Sequence, residues 1–107
     1  MKQIVDEIAR KLRDALKEAI SDFEGLYVFG SQVRGDATKD SDVDIVVLFG
    51  DSRYKESHDY YHILSKIMYD YYGNDLDVQR YTRKELEQNY RFYDEVVNKG
   101  VFYGATA

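Results

Sequence analysis

Residues 43–49 read VDIVVLF, and this run limits the possible folds more than any other stretch of the chain. Successive side chains of a strand point to opposite faces. Val43, Ile45, Val47 and Phe49 therefore share one face, and Asp42, Asp44, Val46 and Leu48 share the other. From Val46 onward both faces are apolar, which requires a central strand covered on both sides. The start of the run is different. Asp42 and Asp44 set two carboxylates on one face, roughly 6.5–7 Å apart along the chain. Like charges this close at the edge of a core raise each other's proton affinity unless a cation compensates them.

The flanking sequence supplies what such a strand needs. Ile4, Val5, Ile8, Leu12, Leu16, Ala19 and Ile20 recur at helical spacing, predicting one amphipathic helix from Met1 to about Ser21. Leu26–Phe29 is a short apolar run that stops at Gly30-Ser31, a buried strand ending in a turn. Residues 35–41 are loop-like. Tyr60, Ile63, Leu64, Ile67, Met68 and Tyr71 predict a second helix from about Arg53 to Tyr72, closed by Gly73-Asn74. Leu76, Val78 and Arg80-Tyr81 predict a third strand. Thr82 with Glu85 has the capping-box pattern, and Leu86, Tyr90, Tyr93, Val96 and Val97 predict a last helix running to Gly100. The order is helix, strand, turn, strand, helix, strand, helix, a small α/β sheet packed by helices.

Composition narrows the functional classes. The 107 residues are expected to form one domain. With no cysteine there is neither a disulfide framework nor a thiolate zinc site. A net charge of −5 makes the surface a poor match for a phosphate backbone, so direct nucleic-acid binding is not expected. The first twenty residues are charged throughout and no run is long enough to span a bilayer, so the expected location is the cytoplasm.

Three features have chemistry to offer. Asp42 and Asp44 form an oxygen donor pair suited to Mg²⁺, which takes one or two carboxylates together with substrate phosphates. Asp77, between Leu76 and Val78, projects away from the side those two bury, and three carboxylates from two strands could hold a two-metal site. Gly30-Ser31 leads from a strand into a short helical turn, where free backbone N–H groups and the Ser31 hydroxyl face an anion. Arg34, one turn on, could bind the same anion or pair with the acids.

Gly30-Ser31, ten residues, then Asp42-Val43-Asp44 resembles the G-S-x10-D-x-D signature of the DNA polymerase beta-like nucleotidyltransferase superfamily. The fuller run GSQVRGDATKDSDVDIVV is similar to its minimal (MNT) members, the antitoxin-type partners of HEPN-domain toxins. Leu76-Asp77-Val78 and the closing KGVFYG extend the likeness over most of the chain; Gln32-Val33 departs from the small or basic residues more usual there. The resemblance implies a small mixed sheet of three to four strands and a nucleotidyl transfer in which an acceptor hydroxyl attacks the α-phosphate of ATP. It implies Asp42 and Asp44 as ligands of two Mg²⁺ ions, and Asp77 as ligand of the catalytic one and acceptor of the attacking proton. The acceptor it implies is a tyrosine of a HEPN toxin. Two other readings are a non-catalytic antitoxin that neutralises by binding alone and a small-molecule, antibiotic-type nucleotidyltransferase; no further domain is present to hold a substrate for the latter.

Some residues have plainer readings. Asp75 and Asp77 fall on one strand face and alternation does not choose between them, although Gly73-Asn74-Asp75 has turn composition. His58 and His62 have zinc-protease spacing, but Asp59 stands where that motif needs Glu, so they read as surface histidines. The eleven tyrosines suit a core and a docking surface rich in amphipathic aromatics. Arg80, Arg83, Lys84 and Arg91 read as a solvated basic face, or as a contact for triphosphate or partner.

Overall fold

The computed structural model describes residues 1–52 and 57–106. Helix α1 (Gln3–Ala19) leads into strand β1 (Phe23–Phe29), the one-turn helix α2 (Ser31–Arg34) and strand β2 (Val43–Phe49). Helix α3 (His58–Asp70) and strand β3 (Leu76–Thr82) follow. The short helices α4 (Arg83–Glu87) and α5 (Tyr90–Tyr93), a π-helical turn (Asp94–Asn98) and strand β4 (Val101–Gly104) complete the chain. The strands form one mixed sheet in the order β3-β2-β1-β4. β1 runs antiparallel to both β2 and β4, and β2 runs parallel to β3. A parallel pair needs a crossover, and α3 provides it.

β2 lies inside the sheet and is buried on both faces from Ile45 to Phe49. One layer joins Val43, Ile45, Val47 and Phe49 to α1 and α3, through Val5, Ile8, Leu12, Leu16, Tyr60 and Ile67. The other packs Val46 and Leu48 with Tyr27 and Phe29 against Leu86 and Val96. The predicted α1 stripe holds with two exceptions: Ile4 and Ala19 are exposed, and Ala9 joins the core instead. Full burial of a Leu or Ile side chain contributes about 1.5–3 kcal/mol, so this stripe is a main support of the sheet.

Two tyrosines clamp α1 onto that layer. Tyr71 donates its hydroxyl to Glu7 at 2.7 Å and Tyr103, on β4, donates to Asp6 at 2.7 Å. Desolvation, then the adjoining carboxylate, pushes each phenol up to about 12.

The start expected for the second helix, at Arg53, lies outside the described residues; α3 as described is capped by the Ser57 side chain, which accepts from the Tyr60 amide. Met68 is exposed rather than buried. The expected continuous last helix is broken. The Thr82–Glu85 capping box starts α4, but the Asn89 side chain then accepts from the Phe92 amide and caps a new start, so the run divides into α4, α5 and the π-helical turn. The helix, strand, turn order also omitted β4, whose Tyr103 is buried while Val101 and Phe102 stay exposed at the sheet edge.

Two outcomes follow. Leu12→Ala is expected to destabilise the fold by about 2–5 kcal/mol in urea unfolding, since the side chain is fully buried. A phenol whose pKa is raised on folding favours the folded state at any pH below its unfolded value, and that contribution disappears as pH passes through the folded value. The urea midpoint should therefore fall between about pH 10 and 12. The paired variant Tyr71→Phe/Tyr103→Phe should show a shallower fall; an identical curve would refute the assignment.

Candidate active site

The end of β1 and the beginnings of β2 and β3 meet at one edge of the sheet. In the parallel pairing, Asp44 stands directly opposite Asp77. Neighbouring strands lie about 4.8 Å apart, so the two side chains leave the sheet side by side. Asp42, exposed and two residues before Asp44, adds a third carboxylate ahead of β2. Asp75 sits just outside the paired part of β3, where its carbonyl accepts from the Val43 amide at 2.8 Å. With Lys39 and Asp40 it lines a cleft beside the start of α1. The fold thus sets Asp77, rather than Asp75, against Asp44.

Asp44 is half-buried, and its environment holds its pKa above the ordinary carboxylate value. Desolvation is the main cause, followed by Asp77 and Asp42; Arg34 acts in the opposite sense and Glu95 adds to the rise. The desolvation has a visible source: Asp44 pairs with Phe29 across β1, and Phe29 meets Phe92 edge-on at 5.4 Å. Phe92 reaches on to Tyr81 at 5.5 Å, so aromatic rings wall one side of the acids.

Gly30 is fitted to this arrangement twice over. Its φ of +79° belongs to the left-handed region, and a Cβ there would run into the Asp44 carboxylate. The Gly30 carbonyl accepts from Val33 and Arg34. Ser31 and Gln32 occupy the first two positions of α2, where backbone amides have no helical partner and are available to an anion.

Gln32 carries a role that its position in the sequence does not announce. It is 6% exposed, and its Nε2 donates to the Ser41 and Asp42 carbonyls at 3.4 and 3.5 Å. It therefore fastens the α2 turn to the chain entering β2, at the position of the first acid. Arg34 is engaged elsewhere: Nη1 donates to Glu95 at 2.6 Å and Nε to Asp36 at 3.4 Å.

Two residues of the basic cluster, Arg80 and Arg83, are engaged away from the acids. Arg80 lies over the rings of Tyr60 and Tyr61 on the α3 side, and Arg83 pairs with Glu24 at 3.1 Å. His58 and His62 are exposed on α3.

Whether this edge suits a cation can be judged from its donors. None of the three carboxylates accepts a hydrogen bond or forms an ion pair among the described residues. Among those residues, no group of three or more acidic, His or Cys side chains is assembled closely enough to hold a metal ion. An adjacent, uncompensated Asp44–Asp77 pair with Asp42 nearby fits a hard divalent ion that completes its shell with phosphate oxygens and water.

Known proteins resemble this chain in sequence and in fold. A family model described as "Nucleotidyltransferase domain" matches residues 9–103. A Methanocaldococcus jannaschii protein, named "Putative protein adenylyltransferase MJ1379", is 32% identical over 89 residues, covering 80% of this chain and 82% of that protein. Among solved structures, a toxin-antitoxin with AMP-PNP superposes with a TM-score of 0.60 at 23% identity, covering 88% of this chain and 70% of that one. A variant of the toxin-antitoxin MntA-HpeT superposes at 0.59 and 21% identity, covering 92% and 70%. Those two likenesses concern the fold, whereas the family match spans most of the chain: this protein belongs to the nucleotidyltransferase domain family.

Proposed function

We propose that the chain is a single-domain, Mg²⁺-dependent nucleotidyltransferase of the cytoplasm that transfers AMP from ATP to a tyrosine of a HEPN-type toxin, acting as its antitoxin. The observation that carries this reading is the pairing of Asp44 with Asp77 in register, directly against the Gly30 turn. It is supported by the relative named for protein adenylylation and by the toxin-antitoxin complexes among the structural neighbours.

In this reading Asp42, Asp44 and Asp77 would hold two Mg²⁺ ions. The ions, when bound, neutralise charge on the phosphates and on the attacking oxygen. The amides of Ser31 and Gln32, with the Ser31 hydroxyl and Arg34, hold the phosphate chain, and Gly30 lets it approach the backbone. The acceptor phenol oxygen bonds to the α-phosphorus as the bond to pyrophosphate breaks. Its proton passes to Asp77, and pyrophosphate leaves against the Gly30–Ser31 turn and Arg34.

The direct test incubates the protein with Mg²⁺, labelled ATP and the protein encoded beside it. Label is expected on a partner tyrosine and should vanish in Asp42→Asn and Asp44→Asn. Tight binding of the partner without transfer would replace the enzyme by an antitoxin that acts through binding alone.

A second outcome concerns Asp44 by itself. Because its pKa is raised, the ionised group opposes folding at neutral pH, and the cost fades as pH falls towards the unfolded value. Asp44→Asn should therefore raise the melting temperature of the ligand-free protein by roughly 1–5 °C. The same change should abolish the further rise given by Mg²⁺ with ATP. A less stable variant would contradict the electrostatic account.

A further inference from the structure

The ion pair between Arg34 and Glu95 joins residues 61 positions apart, and Glu95 has no part in the reaction described above. Its two members are anchored differently. Glu95 belongs to the π-helical turn, and the next residue, Val96, is fully buried against the sheet. Just beyond the turn, Gly100 lies so close to the Val96 and Val28 carbonyls that no Cβ would fit. The Glu95 carboxylate is thus presented from a rigid base. Arg34 instead closes the one-turn helix α2 and is half exposed, so its long side chain can change partner.

Arg34 is also heavily compensated. Glu95 holds Nη1 at 2.6 Å and Asp36 approaches Nε at 3.4 Å. The pair lies within electrostatic reach of Asp44, on which Arg34 and Glu95 act in opposite senses. One cation therefore stands among the acids of the site, and its charge is already neutralised by a neighbour. A polyphosphate arriving at the Gly30 turn would have to compete for that cation with a carboxylate, and would do so close to that carboxylate's negative charge.

We propose that Glu95 is a resident counter-ion of Arg34 that incoming polyphosphate displaces, so that Glu95 sets the affinity of the site for the phosphate chain. Glu95 is a positioning residue in this role, and it acts through Arg34. The inference rests on the reading that phosphates enter between the Gly30 turn and the strand acids.

The test is calorimetric titration of the whole chain with inorganic tripolyphosphate, in the absence and the presence of Mg²⁺. Glu95→Gln and Glu95→Ala should both bind roughly five- to tenfold more tightly than the unmodified protein, because both remove the charge. Arg34→Gln should bind roughly tenfold more weakly. Added to Arg34→Gln, Glu95→Gln should change affinity by less than about twofold, since the shared partner is gone. Adenosine, which carries no phosphate, should bind all variants alike. Unchanged or weaker tripolyphosphate binding by Glu95→Gln, with the unmodified protein binding and Arg34→Gln impaired, overturns the inference and leaves the site reading standing. Weakening in Glu95→Ala alone would show that Glu95 serves only as a structural acceptor, which also overturns it. If neither the unmodified protein nor Glu95→Gln binds tripolyphosphate under either condition, the site reading fails and the inference fails with it.

Discussion

The burial of β2 on both faces is the constraint on which the rest of the molecule depends. Five consecutive side chains, Ile45 to Phe49, are almost completely removed from water, and they are shared between two different packing layers. Such a strand cannot slide. A shift of one residue would send Asp44 into the layer beneath α1 and bring an apolar side chain to the edge. The register that puts Asp44 beside Asp77 and below Gly30 is therefore held by hydrophobic burial some distance from the acids, and the carboxylates need not attract one another to be there.

The electrostatics of the edge follow from that arrangement. Aromatic rings of Phe29, Phe92 and Tyr81 withdraw water from one side of Asp44, while Asp77 and Asp42 add like charge. Arg34 is the one cation that lowers the pKa of Asp44 among the influences identified, and Glu95 offsets it. This end of the sheet is consequently short of positive charge.

Much of this was legible in the residues. Two apolar faces identified β2 as central, the Asp42–Asp44 spacing put two acids on one face, and Gly30-Ser31 marked the end of β1. These are properties of a few adjacent residues, where the period of a strand or the φ of a glycine suffices. Gln32 and Glu95 were not legible for a related reason. Gln32 is a polar residue buried by the chain entering β2, and Glu95 meets Arg34 across 61 positions, in a part of the chain where the expected continuous helix is broken at Asn89. The break was itself hidden by competition: Leu86, Tyr90, Tyr93 and Val97 keep helical spacing, while the Asn89 side chain offers the Phe92 amide a local acceptor that starts a new turn. That Asp77 rather than Asp75 stands opposite Asp44 follows from the strand register, which no alternation rule supplies.

The position of Asp44 also bears on how a small domain can carry such a group at all. A half-buried carboxylate with two like-charged neighbours opposes folding, and a chain of 107 residues has only a modest core to offset it. The offset comes from elsewhere in the molecule: the unbroken apolar half of β2 and the α1 stripe, fastened by Tyr71 and Tyr103. A cation placed beside Asp44 would relieve that opposition. A variant selected only for stability would begin by removing that carboxylate.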